Sequence, residues 1–502
     1  MTDAPPPTEP AEDTPEQMRV RRGKRAAMLA AGVDPYPVTV PRTHTLGQLR
    51  KRFDPDVLGP DATTAEVVSV AGRVIFVRNT GKLCFARLRA GEGTEMQVMV
   101  SLDAVGQHSL DDFKALVDIG DHLSVTGEVV TSRRGELSVR AESWVLAAKA
   151  LRPLPVEHKP LSDETRVRMR YVDLIVRPEA ADMVRMRAAV LATIRRVLSA
   201  RGFVEVETPI LQYVHGGAAA RPFHTHFNVF DQDMTLRIAL EPHLKRAVVG
   251  GLEKVYEIGR NFRNEGIDST HHPEFTMLEA YEAYGDYDTM ADLTAELIRS
   301  AARAVGRTVV TDGGGGTIDL EAEWHEITIE QAVSGAVGEP VTATTPVENL
   351  RVIAAQRGVA TQPQWGSGEV LVELFEQLVE RTLLTPTFVK DFPLPTRPLA
   401  RRHRSRAGLT EAWDLVIAGV EIATAYSELS DPVDQRSRFE AQKRLAEAGD
   451  PEAMGLDEDF LRALEYGMPP TGGLGMGVDR VLRMLTGAGI RETILFPLVR
   501  PD

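Results

Sequence analysis

From Val67 to about Ala147 the apolar residues alternate: Val68 and Val70, Leu83 and Phe85, Met96, Val98 and Val100, Leu123 and Val125. A period of two belongs to strands, not helices. Gly81, Gly91, Gly93, Gly127 and Gly135 punctuate the segments, so about five strands share some eighty residues. That pattern fits a small Greek-key barrel of the OB type. The barrel cannot be the whole fold, because 502 residues exceed what one hydrophobic core organises and 43% hydrophobic content supports more than one.

The remainder divides around it. Residues 1–17 are Pro- and acid-rich with almost no apolar side chains, and burial cannot offset their ordering entropy, so we expect a disordered tail. Residues 18–65 read as an N-terminal helical segment. Within it Arg19, Arg21, Arg22, Lys24 and Arg25 precede Ala26, Met28 and Leu29, a cationic helix ending near Gly32. Its charges suit a solvated face and a nucleic-acid contact equally. The barrel takes 66–150, and a linker rich in Pro and charge spans 151–177. Apolar Met183, Met186, Val190, Ile194 and Val197 then mark a helix that Gly202 ends. From 178 to 502 helices and alternating strands mix, which predicts one large α+β domain with a mostly helical insertion over about 288–385. The run Gly313 to Gly316 lacks the Lys-Ser/Thr ending of a phosphate loop and reads as a hairpin tip.

Bulk chemistry excludes several classes. Lys and Arg number 58 against 72 Asp and Glu, a formal net charge of -14 that argues against non-specific coating of nucleic acid but permits a local basic groove. Charges interrupt every apolar run well before the roughly 18 residues a membrane span needs, and the start lacks a signal peptide's apolar core, so a cytoplasmic protein without membrane contact is expected. The single Cys84 rules out an internal disulfide framework and a multi-cysteine zinc site, and reads as a small buried apolar residue.

Three segments carry candidate chemistry. Val255 to Glu265 reads as a strand with Arg263 and Glu265 on one face, Gly266 to Thr270 as a loop, and His271 to Tyr284 as a second strand aiming His271, Phe275, Glu279 and Tyr281 to one side. On these residues alone, an ion-paired sheet surface is the better reading. A metal site at His271 and His272 is disfavoured because adjacent strand residues diverge. Near the C-terminus, Gly472-Gly473-Leu474-Gly475-Met476-Gly477-Val478-Asp479-Arg480 leads into apolar helical positions, a junction at which glycines admit a ligand closely and Arg480 enters from the helix start.

In combination the segments are specific. Gly202-Phe203-Val204-Glu205-Val206-Glu207-Thr208-Pro209, Phe262-Arg263-Asn264-Glu265 with His271 to Phe275, and Gly475 to Arg480 resemble motifs one, two and three of class II aminoacyl-tRNA synthetases, in that order. Gly216 to Phe223, Tyr426-Ser427-Glu428-Leu429 and Gly135 to Val139 narrow the resemblance to the bacterial lysyl enzymes, over nearly everything from residue 18 on.

The resemblance implies a class II antiparallel-sheet catalytic domain behind an OB-fold anticodon-binding domain, a homodimer joined through motif one, and magnesium, ATP, L-lysine and tRNA(Lys) as cofactor and partners. It implies that Arg263 holds the substrate carboxylate and the α-phosphate, that Glu265 reads the adenine edge, and that Phe275 and Arg480 sandwich the ring with His271 nearby. Asp414 and Glu421 carry magnesium, for which hard oxygen ligands are suited. Gly216 stands at the amino-acid pocket wall, Glu241 and Glu279 on the α-amino group, and Tyr281 with Glu428 on the side-chain ammonium. Strand parity agrees, since Thr424, Tyr426 and Glu428 share a face on which a phenol and a carboxylate converge. Phe85 stacks an anticodon base with Arg78 and Glu136 at phosphate or base edges, although the barrel pattern alone favours Phe85 as a core aromatic. Two departures stand out: Leu240-Glu241-Pro242 where the family commonly reads Pro-Glu-Leu, and Thr424 where asparagine is common. The alternatives are a second-copy lysyl-adenylate former serving protein or lipid modification and an inactive tRNA-binding regulator. The latter is disfavoured because Arg263, Glu265, Phe275, Glu421 and Arg480 are all present.

Overall fold

A computed structural model describes residues 15–91, 93–155, 161–268, 270–447 and 454–500. It falls into two compact units, Met1–Ala181 and Asp182–Asp502. Residues 1–14 of the expected tail and 156–160 of the expected linker lie outside the described residues.

The first unit is built on a closed barrel in which the strands Thr63–Asn79, Leu83–Arg89, Glu95–Ser101, Leu137–Ala148 and His122–Thr131 are neighbours in that order. Alternation sorts the residues: Val68, Val70, Cys84, Ala86, Leu88, Met96, Val98 and Val125 fill the interior. Cys84 is therefore the buried apolar residue expected of it. The cationic helix runs Glu16–Ala30, and two of its charges are used within the unit rather than left to solvent. Arg21 donates to the carbonyls of Ile119, Ala150 and Arg152, and Lys24 to Asp118 at 2.7 Å. The stretch expected as linker is partly helical, with Asp163–Arg168 and Arg170–Val176.

In the second unit, an eight-stranded sheet runs in the order His325–Thr328, Thr387–Lys390, Ala412–Ile417, Val420–Ser427, Thr471–Gly477, Glu274–Ala283, Lys254–Phe262, Val204–Glu205. It is antiparallel except at its two edges. One face is apolar: Leu278, Ala280, Ala423, Ala425, Leu474 and Met476 pack against Val190 and Ile194 of helix Pro178–Ala200, Leu293 and Leu297 of Tyr287–Ala304, and Leu482 of Val478–Thr486. The alternating residues of the same strands, among them Glu279, Tyr281, Thr424, Tyr426, Gly473 and Gly475, are left to the opposite face. The helices Ile329–Val337, Val347–Gln356 and Ser367–Leu378 bury a core of their own. Gly313 to Gly316 lie in the tip of the hairpin Val309–Thr311 and Thr317–Asp319, where Asp312 accepts from the amides of Gly314 and Gly316 at 2.8 Å.

The strand before the motif-two loop ends at Phe262, and the following one starts at Glu274, so Arg263, Glu265 and His271 sit in the connection rather than in the ladder. Pro273 has no amide to donate, which stops the pairing there, although Arg263 N still reaches the Pro273 carbonyl at 2.9 Å.

One barrel glycine is required by space. A β-carbon on Gly127 would overlap the Arg140 carbonyl oxygen of the paired strand and stand 2.7 Å from its carbon. Gly127→Ala is expected to destabilise the barrel by about 1–3 kcal/mol, the usual cost of overpacking, lowering the barrel's melting transition by several degrees in calorimetry; an unchanged transition would mean that the strands separate freely there.

Candidate active site

A cavity of about 600 Å³ opens on the polar face of the large sheet, over Glu274–Ala283, Thr471–Gly477 and Val420–Ser427. Glycines make the room. Gly475 pairs with Glu279 on one side and Thr424 on the other, and Gly473 with Tyr281 and Tyr426. A β-carbon on Gly473 would overlap Glu428 Oε1 and stand 2.6 Å from Tyr281 Cε1, and one on Gly475 would stand 3.0 Å from the Met277 methyl. Neither glycine has a positive φ. Their role here is the missing side chain, not an unusual backbone.

One end of the cavity is acidic and dry. Glu241, Glu279, Tyr281 and Glu428 are all buried. Glu279 Oε1 accepts from the amide of Leu240 at 2.9 Å and Oε2 from the Tyr281 hydroxyl at 3.1 Å. Burial, reinforced by the Glu241 charge, pushes the Glu279 carboxyl up to about 7. The same burial raises Glu241 and Glu428. Both are held back by a residue the sequence reading passed over. Lys245, fully buried on helix Glu241–Val249, donates a hydrogen bond to Glu241 Oε1 and ion-pairs with Glu428 Oε2. Burial opposes its charge, but the two carboxylates outweigh burial and raise it above the ordinary lysine value. Its i,i+4 spacing from Glu241 was the legible signal.

Pro242 stands in the first turn of that helix, where a missing amide has no intrahelical partner to lose. The wall expected at Gly216 is formed by its neighbour Gly217 and by Ala218 and Ala219. Gly217 takes φ +87°, and a β-carbon there would stand 2.9 Å from Ala239 and from Pro242, so the left-handed turn seats the chain against the proline. Thr424 lines the cavity, its hydroxyl donating to the Trp413 carbonyl at 3.3 Å.

The other end carries cations. The Arg263 guanidinium lies 5.1 Å from the Phe275 ring centroid. Arg480 donates to Glu421 Oε1 at 3.1 Å and to the Glu421 carbonyl at 2.9 Å, and its second nitrogen is 3.3 Å from His271 Nε2. Phe275 thus has Arg263 against its ring, while Arg480 is drawn to Glu421 and His271. His271 Nδ1 in turn meets Asp268 at 2.8 Å.

Asp414 is buried with one oxygen on Arg397, while its Oδ1 accepts no hydrogen bond. Burial raises its carboxyl to about 6 against the opposing Arg397 charge, and raises nearby Glu380 to about 7, where Glu421, Glu376 and Asp414 add repulsion. Arg397, missed in the sequence, stacks 4.1 Å over Phe392. Among the described residues no three His, Cys, Asp or Glu side chains form a preformed metal cage. A free oxygen on Asp414 and a half-exposed Glu421 fit an ion that brings phosphate oxygens as its other ligands.

On the barrel, Phe85 is half-buried on the outer face, because Cys84 and Ala86 on either side of it take the interior. The core reading of Phe85 is thereby corrected. Arg78, paired directly across, holds its guanidinium 6.0 Å from the Phe85 ring centroid. The neighbouring pair repeats the arrangement, with Arg87 5.9 Å from exposed Phe76, an aromatic the sequence reading did not single out. Glu136 sits in the turn entering Leu137–Ala148, its amide donating to Ser132 Oγ at 3.1 Å.

Comparison with known proteins matches residues 162–500 to the model of tRNA synthetases class II (D, K and N) and residues 68–147 to the OB-fold nucleic acid binding domain. The chain is 58% identical over 498 residues to the lysine–tRNA ligase of Mycobacterium bovis (strain BCG / Pasteur 1173P2), covering 98% of each. It is 56% identical to that of Kineococcus radiotolerans over 99% of each. To the lysylphosphatidylglycerol biosynthesis bifunctional protein LysX of Mycobacterium marinum it is 50% identical, over 98% of this chain and 44% of that protein.

Proposed function

This chain belongs to the class II tRNA synthetases and within them to the lysine–tRNA ligases, and we propose that its buried carboxylates select the amino acid. The enzyme activates L-lysine with ATP to lysyl-adenylate and pyrophosphate, then transfers lysine to the 3′ end of tRNA(Lys). One observation carries the division of labour: a single cavity has a dry end with Glu241, Glu279 and Glu428 and a cationic end with Arg263 and Arg480.

Lysine presents two ammonium groups and one carboxylate, and ATP presents phosphates. Glu241 and Glu279 take the α-ammonium; Tyr281 and Glu428 take the side-chain ammonium, with Thr424 and Tyr426 lining its path. Arg263 neutralises the lysine carboxylate and the α-phosphate as they approach. Glu265, His271, Phe275 and Arg480 hold the nucleotide. Asp414 and Glu421 would hold magnesium, which would supply positive charge to offset that of the phosphates. No protein nucleophile takes part: the rate comes from placing two anions against each other and stabilising the charge that develops between them. In the barrel, Phe85 stacks an anticodon base with Arg78 and Glu136 at its edges. Exposed Val204, Tyr213, Val229 and Phe230, in and after motif one, support a homodimer. No helix among the described residues is long and apolar enough to cross a membrane. The inactive-regulator reading is less well supported, because the groups needed for chemistry share one cavity.

Two experiments test these assignments. Magnesium-dependent ATP–pyrophosphate exchange should require lysine, and Glu428→Gln should raise the lysine KM by about 30-fold to several thousand-fold, since losing one partner of a desolvated charge pair costs about 2–5 kcal/mol. The ATP KM should move less than about threefold in the same variant. A lysine KM within about threefold of the parent would remove Glu428 from the pocket. In the barrel, Phe85→Ala should weaken tRNA binding by about 1–3 kcal/mol, the worth of one stacked base, with exchange unchanged; unaltered tRNA affinity would leave Phe85 without that role.

A further inference from the structure

At the acidic end of the cavity the chain has already placed a lysine. Lys245 belongs to none of the three motifs, and the substrate reading makes no use of it. Yet its side chain has no solvent exposure, a state lysine adopts only when its charge is matched. Its ammonium hydrogen-bonds Glu241, one helical turn back, and ion-pairs with Glu428, which follows the strand Val420–Ser427. It is thus a tether between two carboxylates on different elements. Glu428 Oε2 faces it, and Oε1 lies in the space left by Gly473 beside the Tyr281 ring.

The count of charges is uneven. Glu241, Glu279 and Glu428 put three carboxylates at this end, against the Lys245 ammonium between Glu241 and Glu428 and the Arg263 charge that reaches Glu279, and like charges at such depth cannot all ionise. Lys245 ties Glu241 to Glu428 and favours their charged forms against burial. With it the cluster still lacks positive charge, which is the deficit a cationic substrate fills.

We propose that Lys245 is a positioning residue of the amino-acid pocket: its fixed ammonium draws Glu241 and Glu428 together and holds them in place, so that the ammonium groups of the incoming amino acid complete the neutralisation. The inference rests on reading the cavity as the lysine pocket, which Glu428→Gln tests separately.

The test is lysine-dependent pyrophosphate exchange by the full chain, run below the measured melting temperature of each variant. Lys245→Met keeps length and apolar volume and removes the charge. It should raise the lysine KM at least tenfold, lower kcat by a smaller factor, and leave the ATP KM within about twofold. Lys245→Ala removes three carbons and the nitrogen, the atoms of n-propylammonium. That cation should lower the lysine KM of Lys245→Ala toward the parent value, and n-propanol, of similar shape but uncharged, should not. A folded Lys245→Met enzyme with a lysine KM within threefold of the parent overturns the proposal, as does equal rescue by propanol, which would make Lys245 a filler of space. If Glu428→Gln raises the lysine KM while Lys245→Met does not, this inference falls and the pocket reading stands. If neither moves it, both fall.

Discussion

The ion pairs that Lys245 makes with Glu241 and Glu428 are the constraint around which the acidic end of the cavity is arranged. Burying a charge is costly unless it is matched, and the match here is made across elements far apart in sequence: a helix start supplies Glu241 and Lys245, and the end of a sheet strand supplies Glu428. A site built this way is acidic without being solvated. In water a carboxylate would gain little from an ammonium; in a dry cleft the same pair discriminates strongly, because any substrate lacking the cation leaves buried charge unmatched.

Space for that chemistry comes from what the central strand lacks. Thr471–Gly477 contributes Leu474 and Met476 to the core on one face and Gly473, Gly475 and Gly477 to the cavity on the other. Its neighbours Glu274–Ala283 and Val420–Ser427 then project carboxylates, phenols and a threonine across the gap from both sides. The same strand runs directly into the helix that delivers Arg480, so the room of the cavity and one of its cations are fixed by one continuous segment. The barrel shows a parallel economy. Its interior parity, set by Cys84 and Ala86, is what turns Phe85 outward to face Arg78.

Much of this was legible in the chain because alternation is a strong signal. The odd-numbered Phe275, Glu279 and Tyr281 and the even-numbered Thr424, Tyr426 and Glu428 could be assigned to one face before any coordinates, and they do line one cavity. What escaped had physical reasons. Lys245 lies in Leu244-Lys245-Arg246, a stretch that looks like a solvated helix face, and beside Glu241 at i,i+4 it is the approach of Glu428 from the sheet, invisible in local sequence, that completes the match for its buried charge. Arg397 sits in an irregular segment with no periodicity to read. Phe85 was misread as core on pattern because apolar alternation in a short strand does not say which parity faces inward. The motif-two connection begins sooner than alternation suggested because Pro273 interrupts the ladder, a local effect that apolar spacing does not register. Gly216 and Gly217 are interchangeable in sequence, and only the left-handed turn at Gly217 decides which meets Pro242.

The central claim is that a buried carboxylate cluster, still short of positive charge beside its one resident ammonium, reads the amino acid by its charge. Its most direct test is the proton balance of lysine binding, measured by titration calorimetry at pH 7 in buffers of different ionisation enthalpy. In the free enzyme Glu279 is pushed up to about 7 and Glu428 is raised by burial, so the cluster holds protons that an arriving ammonium displaces. Lysine binding is therefore predicted to release on the order of one proton, whereas norleucine, which lacks the side-chain ammonium, binds weakly if at all. Lysine binding with no proton release, or norleucine binding as tightly as lysine, would contradict the account.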